Sequence, residues 1–296
     1  MKAFDVVVAR DAGQALALLA THGARAKLLA GGTDLLVDLK SAAHAPEVVV
    51  DISRASDLAG IELTEQGLRI GALATHSAVM DSPLVREHFP ALVDASHTVG
   101  AVQTRNLGTL AGNLVTCVPS MDGGPTLLAL EAIVTVASAA GRRQMPLSDF
   151  FIGPRKTALK PDEMLLDMVI PRKNLGKPTA FLKFGLRKGQ ALALVNVAAS
   201  AWIDPERQTF VEPRIALGAV APTVIRTPKA EAWLNGRRAD PEAMAEAGRI
   251  AAGEAKPISD FRASAGYRRD LIQVLTARAL AQAVAQSVAQ RKEKPR

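Results

Sequence analysis

Apolar residues recur at helical spacing in DAGQALALLATHG (11–23), with Asp11 placed to cap the start and Gly23 just past the end. ARAKLLA (24–30) reads as a buried strand running into a glycine turn, DLLVDLKS (34–41) as a short helix or extended segment, and PEVVVDIS (46–53) as a strand. GLRIGALAT (67–75) is a further strand, and its closing Thr75 is placed to cap a helix. SPLVREHFPALVDASHTVG (82–100) predicts two helical pieces, one capped by Ser82 with Pro83 in first position, the other starting at Pro90. GPTLLALEA (124–132) predicts a helix and IVTVAS (133–138) a strand. GRRQMPLSDFF (141–151) predicts a turn with a short helix, and DEMLLDMVIP (162–171) a strand closed by Pro171.

PRKNLGKPT (171–179) is a polar, proline- and glycine-rich linker, which places a domain boundary near residue 175. After it the strands lengthen: FLKFGLRK (181–188), ALALVNVAASAWID (191–204) and RIALGAV (214–220). Two helices close the chain, PEAMAEAGRIAAGEA (241–255) and the segment 263–290, whose apolar stripe suits packing on its own lobe, with a partner surface as the alternative. The layout is α+β, and 296 residues suffice for more than one domain.

Composition narrows the function. No apolar run reaches eighteen residues, so no transmembrane helix is expected. The N-terminus lacks the apolar region of a secretory signal, and a cytoplasmic protein is the expectation. One cysteine excludes an intrachain disulfide framework and a cysteine-ligated zinc or iron–sulfur site built by this chain alone. The five histidines, His22, His44, His76, His88 and His97, show no metal-site spacing. The net charge of +7 suits nucleic acid, an anionic cofactor or an acidic partner, but 4% aromatic residues leave no stacking surface for single strands, and nucleic acid is set aside.

The candidate chemistry lies in two stretches. Residues 104–132 gather three short glycine turns, two prolines and Cys117. Upstream, LLAGGTDLLVDLK (28–40) holds a further glycine turn. Glycine admits positive φ and close approach of a ligand to the main chain, and successive N–H groups in such turns make anion sites. AGGTD and TLAGN each set threonine beside glycine, in the second through the preceding Gly108. Neither has the spacing of a Walker or Rossmann phosphate loop. The pair points to a diphosphate clamp for a dinucleotide and leaves its type open.

LLAGGTDLLVDLK (28–40), VVVDISRASDLAGI (48–61), QTRNLGTLAGNLVTCVPSMDGGPTLLALEA (103–132), DEMLLDMVIP (162–171) and FLKFGLRKGQALALVNVAA (181–199) together resemble the FAD-binding medium subunit of molybdenum hydroxylases, the xanthine dehydrogenase and carbon monoxide dehydrogenase flavoprotein family. The resemblance runs from the N-terminus to about residue 280. It implies a two-lobed FAD-binding domain of the vanillyl-alcohol-oxidase (PCMH) type over 1–175, with subdomains of about 1–55 and 56–175. A carbon monoxide dehydrogenase flavoprotein-like lobe of sheet and helices would follow over 176–285, then a basic tail, 286–296.

The resemblance also implies the contacts. Leu29, Ala30, Gly31, Gly32, Thr33, Asp34 and Leu35 would wrap the FAD diphosphate. Thr109, Leu110, Ala111, Gly112 and Asn113 would make flavin contacts, with Ala111 where the family usually has glycine. Asp122 matches an aspartate that binds the adenosine ribose hydroxyls; its alternative role is an N-cap before Pro125. Leu165 matches an apolar residue lying on the flavin or adenine, Lys183 a lysine near the cofactor, and Val99 a further contact; core packing and a solvated strand position are the alternatives for Leu165 and Lys183. Cys117 falls at an ordinary small-residue position with no histidine in its motif to activate it.

The function implied is electron transfer. Electrons from [2Fe–2S] clusters on a small partner subunit would pass through FAD to NAD, oxygen or another acceptor, the substrate being hydroxylated on a large molybdopterin-binding subunit. The assembly would be a heterotrimer or a dimer of heterotrimers. This chain would hold no metal and no residue of the hydroxylation chemistry. A stand-alone flavin oxidase of the same fold and a cofactor-free assembly protein are the alternatives.

Overall fold

The structure, a computed structural model, describes residues 2–41, 43 and 45–293, without the side chains of Lys292 and Glu293. His44 and the tail residues 294–296 lie outside the described residues. The first unit alternates strand and helix: β1 (Asp5–Val8), α1 (Ala12–His22), β2 (Ala26–Leu29), α2 (Leu35–Lys40) and β3 (Val48–Asp51). The strands form a parallel sheet in the order β1-β3-β2, with Val50 opposite both Val7 and Leu28. The Asp11 carboxylate accepts from Gln14 N–H, and Gly23 at φ 51° ends the helix, as the capping pattern predicts. Of DLLVDLK, residues 35–40 are helix, with Asp34 at the N-cap position.

The second unit contains β4 (Ile61–Leu63), β5 (Gly67–Gly71), α3 (His76–Asp81), α4 (Pro83–His88), α5 (Pro90–His97), α6 (Val102–Leu107), α7 (Leu110–Thr116) and α8 (Gly123–Ala129). It ends with β6 (Ile133–Ser138), β7 (Gly141–Pro146), α9 (Leu147–Phe150), the small hairpin β8 (Phe151–Gly153) and β9 (Lys156–Thr157), and β10 (Met164–Pro171). Its antiparallel sheet has the order β4-β5-β10-β6-β7. The hydroxyls of Thr75 and Ser82 cap α3 and α4. GRRQMP is not the expected turn. It is an edge strand paired along β6, whose arginines stay near solvent where an edge tolerates charge.

The third unit is β11 (Thr179–Gly185), β12 (Ala193–Ile203), β13 (Phe210–Gly218), β14 (Ile225–Arg226), α10 (Pro228–Leu234), α11 (Pro241–Glu254) and α12 (Ala265–Glu293). Its sheet runs β11-β12-β13-β14. α10 is a further helix beyond the two expected, with Pro228 at its first turn. α12 packs Ile272, Leu275, Ala279 and Leu280 into the core of its own lobe and continues through Glu293, into the segment expected as a basic tail.

β12 is buried on both faces. Val195, Val197, Ala199 and Ala201 join the core under α11 and α12, while Ala198 joins the core of the second unit together with Phe181 and Ala216. On that second face Asn196 and Ser200 are fully buried, and the Ser200 hydroxyl donates to Ala129 O at 2.7 Å. The sheet of the third unit thus presses polar side chains onto α8.

Candidate cofactor site

The loop after β2 lies against the junction of α6 and α7. A Cβ on Gly31 would stand 1.8 Å from Leu107 O, so only glycine permits this approach. A Cβ on Gly108 would stand 3.2 Å from the Thr33 hydroxyl oxygen. The two glycine-rich stretches, some seventy-five residues apart in sequence, therefore meet. Gly32 has φ +72° and lets the chain turn into α2. Among the described residues, no hydrogen bond joins the main-chain N–H of Gly31, Gly32, Thr33 or Asp34 to a protein acceptor. Gly31, Gly32 and Thr33 are half-buried and Asp34 is exposed, and successive unpaired main-chain donors of this kind suit an anion. Burial holds the Asp34 carboxyl above the usual carboxylate range although Arg155 opposes it, and Arg155 itself pairs with Asp38 at 2.8 Å.

TLAGN differs from expectation. It is not a turn but the start of α7: the Thr109 hydroxyl accepts from Gly112 N–H at 2.9 Å, and Asn113 N–H bonds Thr109 O. Leu110 N–H donates to Ala74 O, and Gly108 O accepts from His76 N–H, both at 3.0 Å. Leu110 and Ala111 point into the core, while Gly112 and Asn113 are half-buried. A capping threonine and a small-residue first turn produce the same sequence signal as a phosphate turn.

His76 locks this junction. Its ring is buried, with Nδ1 3.3 Å from the Ser96 hydroxyl, and burial, with Arg105 adding to it, lowers its pKa to about 4. The unfolded chain takes up the proton near pH 6.5. The stabilisation is therefore complete above pH 6.5 and is lost as the pH falls toward 4, by roughly 3 kcal/mol across the window. Urea midpoints measured from pH 7 to pH 4 should show this slope, and His76→Asn should flatten it.

Asp122 precedes α8 but does not cap it. Its carboxylate is 5% exposed and turns to the third unit. Oδ2 accepts from Lys183 Nζ at 2.5 Å, and Oδ1 accepts from Asn196 Nδ2 at 2.8 Å. Lys183 Nζ also donates to Thr98 O at 3.2 Å. Burial raises the Asp122 pKa, while Lys183, Asn196 and Thr98 hold it down. Lys183 is thus no solvated strand lysine; its side chain is 8% exposed. Beside the pair opens a cavity of about 360 Å³, lined by Thr98, Lys183, Phe184, Gly185, Leu186, Arg187, Lys188 and Ala191. Sequence reasoning missed Asn196 and Thr98. The available signal for Asn196 was a lone amide inside the apolar run ALVNVAA.

Leu165 is buried in the middle strand β10, beside a bulge that shifts its pairing with β6, and it joins the same core as Leu110 and Leu127. Val99 is half-buried, and its carbonyl accepts from Arg105 at 3.0 Å. A larger groove of about 730 Å³ on the five-stranded sheet is lined by Arg69, Arg142, Arg143, Gln144 and Asp167 and includes none of the expected contacts. Cys117 ends α7 at φ 51°, fully buried; its thiol donates to Gly153 O at 3.3 Å, and burial raises its pKa. Cys117→Ser should keep full FAD content and change stability by no more than about 1 kcal/mol, because a hydroxyl reaches the same carbonyl. Thiol reagents should label the chain only after denaturation.

Residues 2–173 match the family described as FAD binding domain in molybdopterin dehydrogenase, and residues 180–283 match the CO dehydrogenase flavoprotein C-terminal domain. The chain belongs to the FAD-binding subunits of the molybdenum hydroxylases. It is 32% identical over 265 residues to a putative xanthine dehydrogenase FAD-binding subunit of Escherichia coli, covering 88% of this chain and 89% of that one. It is 34% identical over 261 residues to the nicotine 6-hydroxylase medium subunit of Paenarthrobacter nicotinovorans, covering 88% and 90%. Carbon monoxide dehydrogenase from Hydrogenophaga pseudoflava superposes with a TM-score of 0.91 at 32% identity, covering 96% of this chain and 98% of that one. As a flavoprotein subunit of this family, the chain combines the FAD-binding domain with the flavoprotein C-terminal lobe. Among its described residues no helix is long and apolar enough to cross a membrane.

Proposed function

We propose that this flavoprotein subunit binds FAD between its glycine loop and Asp122 and relays electrons within a molybdenum hydroxylase complex. The observation that carries this reading is the loop of free N–H donors at 31–34, packed on the α6–α7 junction. Its donor set suits a diphosphate. Asp122, with two oxygens oriented by Lys183 and Asn196, suits ribose hydroxyls. In this reading Leu29 to Leu35 hold the diphosphate, Thr109 to Asn113 and Val99 border the flavin, and Leu165 supplies apolar contact. Lys183 opposes the rise that burial imposes on the Asp122 carboxyl and so favours its acceptor form.

Bound FAD would supply the exchange of single electrons for electron pairs, and the protein supplies binding and tuning. The partners proposed are a large molybdopterin-binding subunit and a small [2Fe–2S] subunit, assembled as a dimer of heterotrimers. The terminal acceptor would be NAD, oxygen or another oxidant, and the compartment the cytoplasm. The domain limits proposed are 1–175 for the FAD domain, with its subdomain break near residue 55, and 176–285 for the C-terminal lobe.

The test is a visible spectrum of the purified chain, with the flavin released by acid and identified. Released FAD, with turnover only after large and iron–sulfur subunits are added, supports the reading. A colourless protein that takes up no FAD, alone or co-expressed with partners, overturns it.

A further inference from the structure

Lys183, Asn196 and Gly218 form a row across three adjacent strands: Lys183 pairs with Asn196 across β11 and β12, and Asn196 with Gly218 across β12 and β13. The row faces Asp122. Asn196 is fully buried, and its amide nitrogen donates both to Asp122 Oδ1 at 2.8 Å and to Met121 O at 3.0 Å. Two acceptors fix which end of the amide is nitrogen. The amide oxygen is left pointing at Gly218, where an added Cβ would stand 2.1 Å away, and among the described residues it has no hydrogen-bond partner. A buried carbonyl oxygen without a donor costs free energy. The arrangement accepts that cost in order to aim both amide hydrogens at residues 121 and 122.

We propose that Asn196, seated by Gly218, is a positioning residue that sets the Asp122 carboxylate for the adenosine ribose of FAD and so makes the site selective for a nucleotide carrying its ribose hydroxyls. This rests on the proposed FAD reading. A lysine alone fixes only the distance of a carboxylate, because its ammonium is a rotatable point charge. The Asn196 donor on the other oxygen fixes the plane. With Oδ2 on Lys183 and Oδ1 on Asn196, the carboxylate is held by a donor on each oxygen, so its plane is set as well as its position. Gly218 is needed because any side chain there displaces the Asn196 amide.

The experiment titrates the FAD-free full chain with FAD and with FAD analogues lacking the 2′- or the 3′-hydroxyl of the adenosine ribose, following flavin fluorescence. The wild-type chain should bind at least one analogue about tenfold or more weaker, the loss expected for one hydrogen bond to a charged group. Asn196→Leu should bind FAD and the analogues alike, at the weaker level. Gly218→Ala keeps the amide but pushes it aside and should lose the same discrimination. Asn196→Ala combined with Gly218→Ala should be little worse than Asn196→Ala alone, because the 2.1 Å clash with the amide is gone and only Pro125 Cγ, at 3.2 Å, crowds the added methyl.

A purely structural role would weaken FAD and analogues by the same factor, and an Asn196→Leu or Gly218→Ala chain that still discriminates overturns the proposal. If Asn196→Leu does not fold, Gly218→Ala decides. If the wild-type chain binds FAD but does not discriminate, the assignment of Asp122 to the ribose fails and takes this proposal with it. If it binds no FAD even with its partner subunits, the FAD reading itself fails.

Discussion

Asp122→Ala should purify without FAD and unfold more easily by about 3–5 kcal/mol, the cost of breaking a buried ion pair from one side. The substitution removes the carboxylate from a site where the Lys183 side chain is only 8% exposed. The ammonium then keeps one hydrogen-bond partner, Thr98 O, and the amide hydrogen of Asn196 aimed at residue 122 loses its acceptor. Lys183→Met breaks the pair from the other side and strands the carboxylate with only neutral donors. Combining Asp122→Leu with Lys183→Met removes both charges, and isosteric apolar replacement of a buried pair is often neutral or better.

Stability and cofactor binding should therefore separate. The double variant recovers most of the unfolding free energy while its FAD content stays at zero, because the proposed ribose acceptor is gone. Chemical denaturation of the FAD-free chains and flavin stoichiometry measure the two effects. Stoichiometric FAD in Asp122→Ala would remove Asp122 from the site.

The fold was legible wherever local chemistry set it. Asp11, Thr75 and Ser82 cap the helices that their positions predict, since a cap depends on residues three apart. At GRRQMP and at Thr109, tertiary pairing adds what local composition leaves open. GRRQMP carries a turn's composition, yet β6 offers it a full ladder. Thr109 heads a helix rather than a loop because Ala74 O and His76 N–H engage the chain on either side of it.

At the site, the residues carried over from the family resemblance include the two partners of the buried ion pair, Asp122 and Lys183. Their contact was not readable, because 61 residues and a change of unit separate them. Asn196 was invisible for the opposite reason. Its environment is set by Asp122 from α8 and Gly218 from β13, and neither is near it in sequence.

Gly31→Ala should lower FAD affinity by roughly a hundredfold, about 2.7 kcal/mol, more than Gly32→Ala and far more than Gly23→Ala. The three glycines look alike in composition and differ in what a methyl group would meet. At Gly31 it meets the Leu107 carbonyl oxygen at 1.8 Å, and both atoms are fixed to backbone, so the loop and the α6–α7 junction must move apart. That displaces the row of free N–H groups from Thr109 and from the entrance to α7. At Gly32 the nearest atoms are the ends of the Leu29 and Leu36 side chains, at 2.9 and 3.0 Å, which can rotate aside. The φ of +72° remains a cost of roughly 1–2 kcal/mol for any L side chain and falls on the same loop, so FAD binding weakens less but measurably. Gly32→Val adds a branched side chain to that strained backbone and should empty the site while the third unit stays folded. Gly23 has a positive φ but nothing within 4 Å, and it lies before β2, so alanine there should cost stability and leave FAD affinity unchanged. Flavin titration of the three alanine variants tests the order directly. A larger loss at Gly32 than at Gly31 would mean that backbone strain, and not the approach of the loop to Leu107, governs the site.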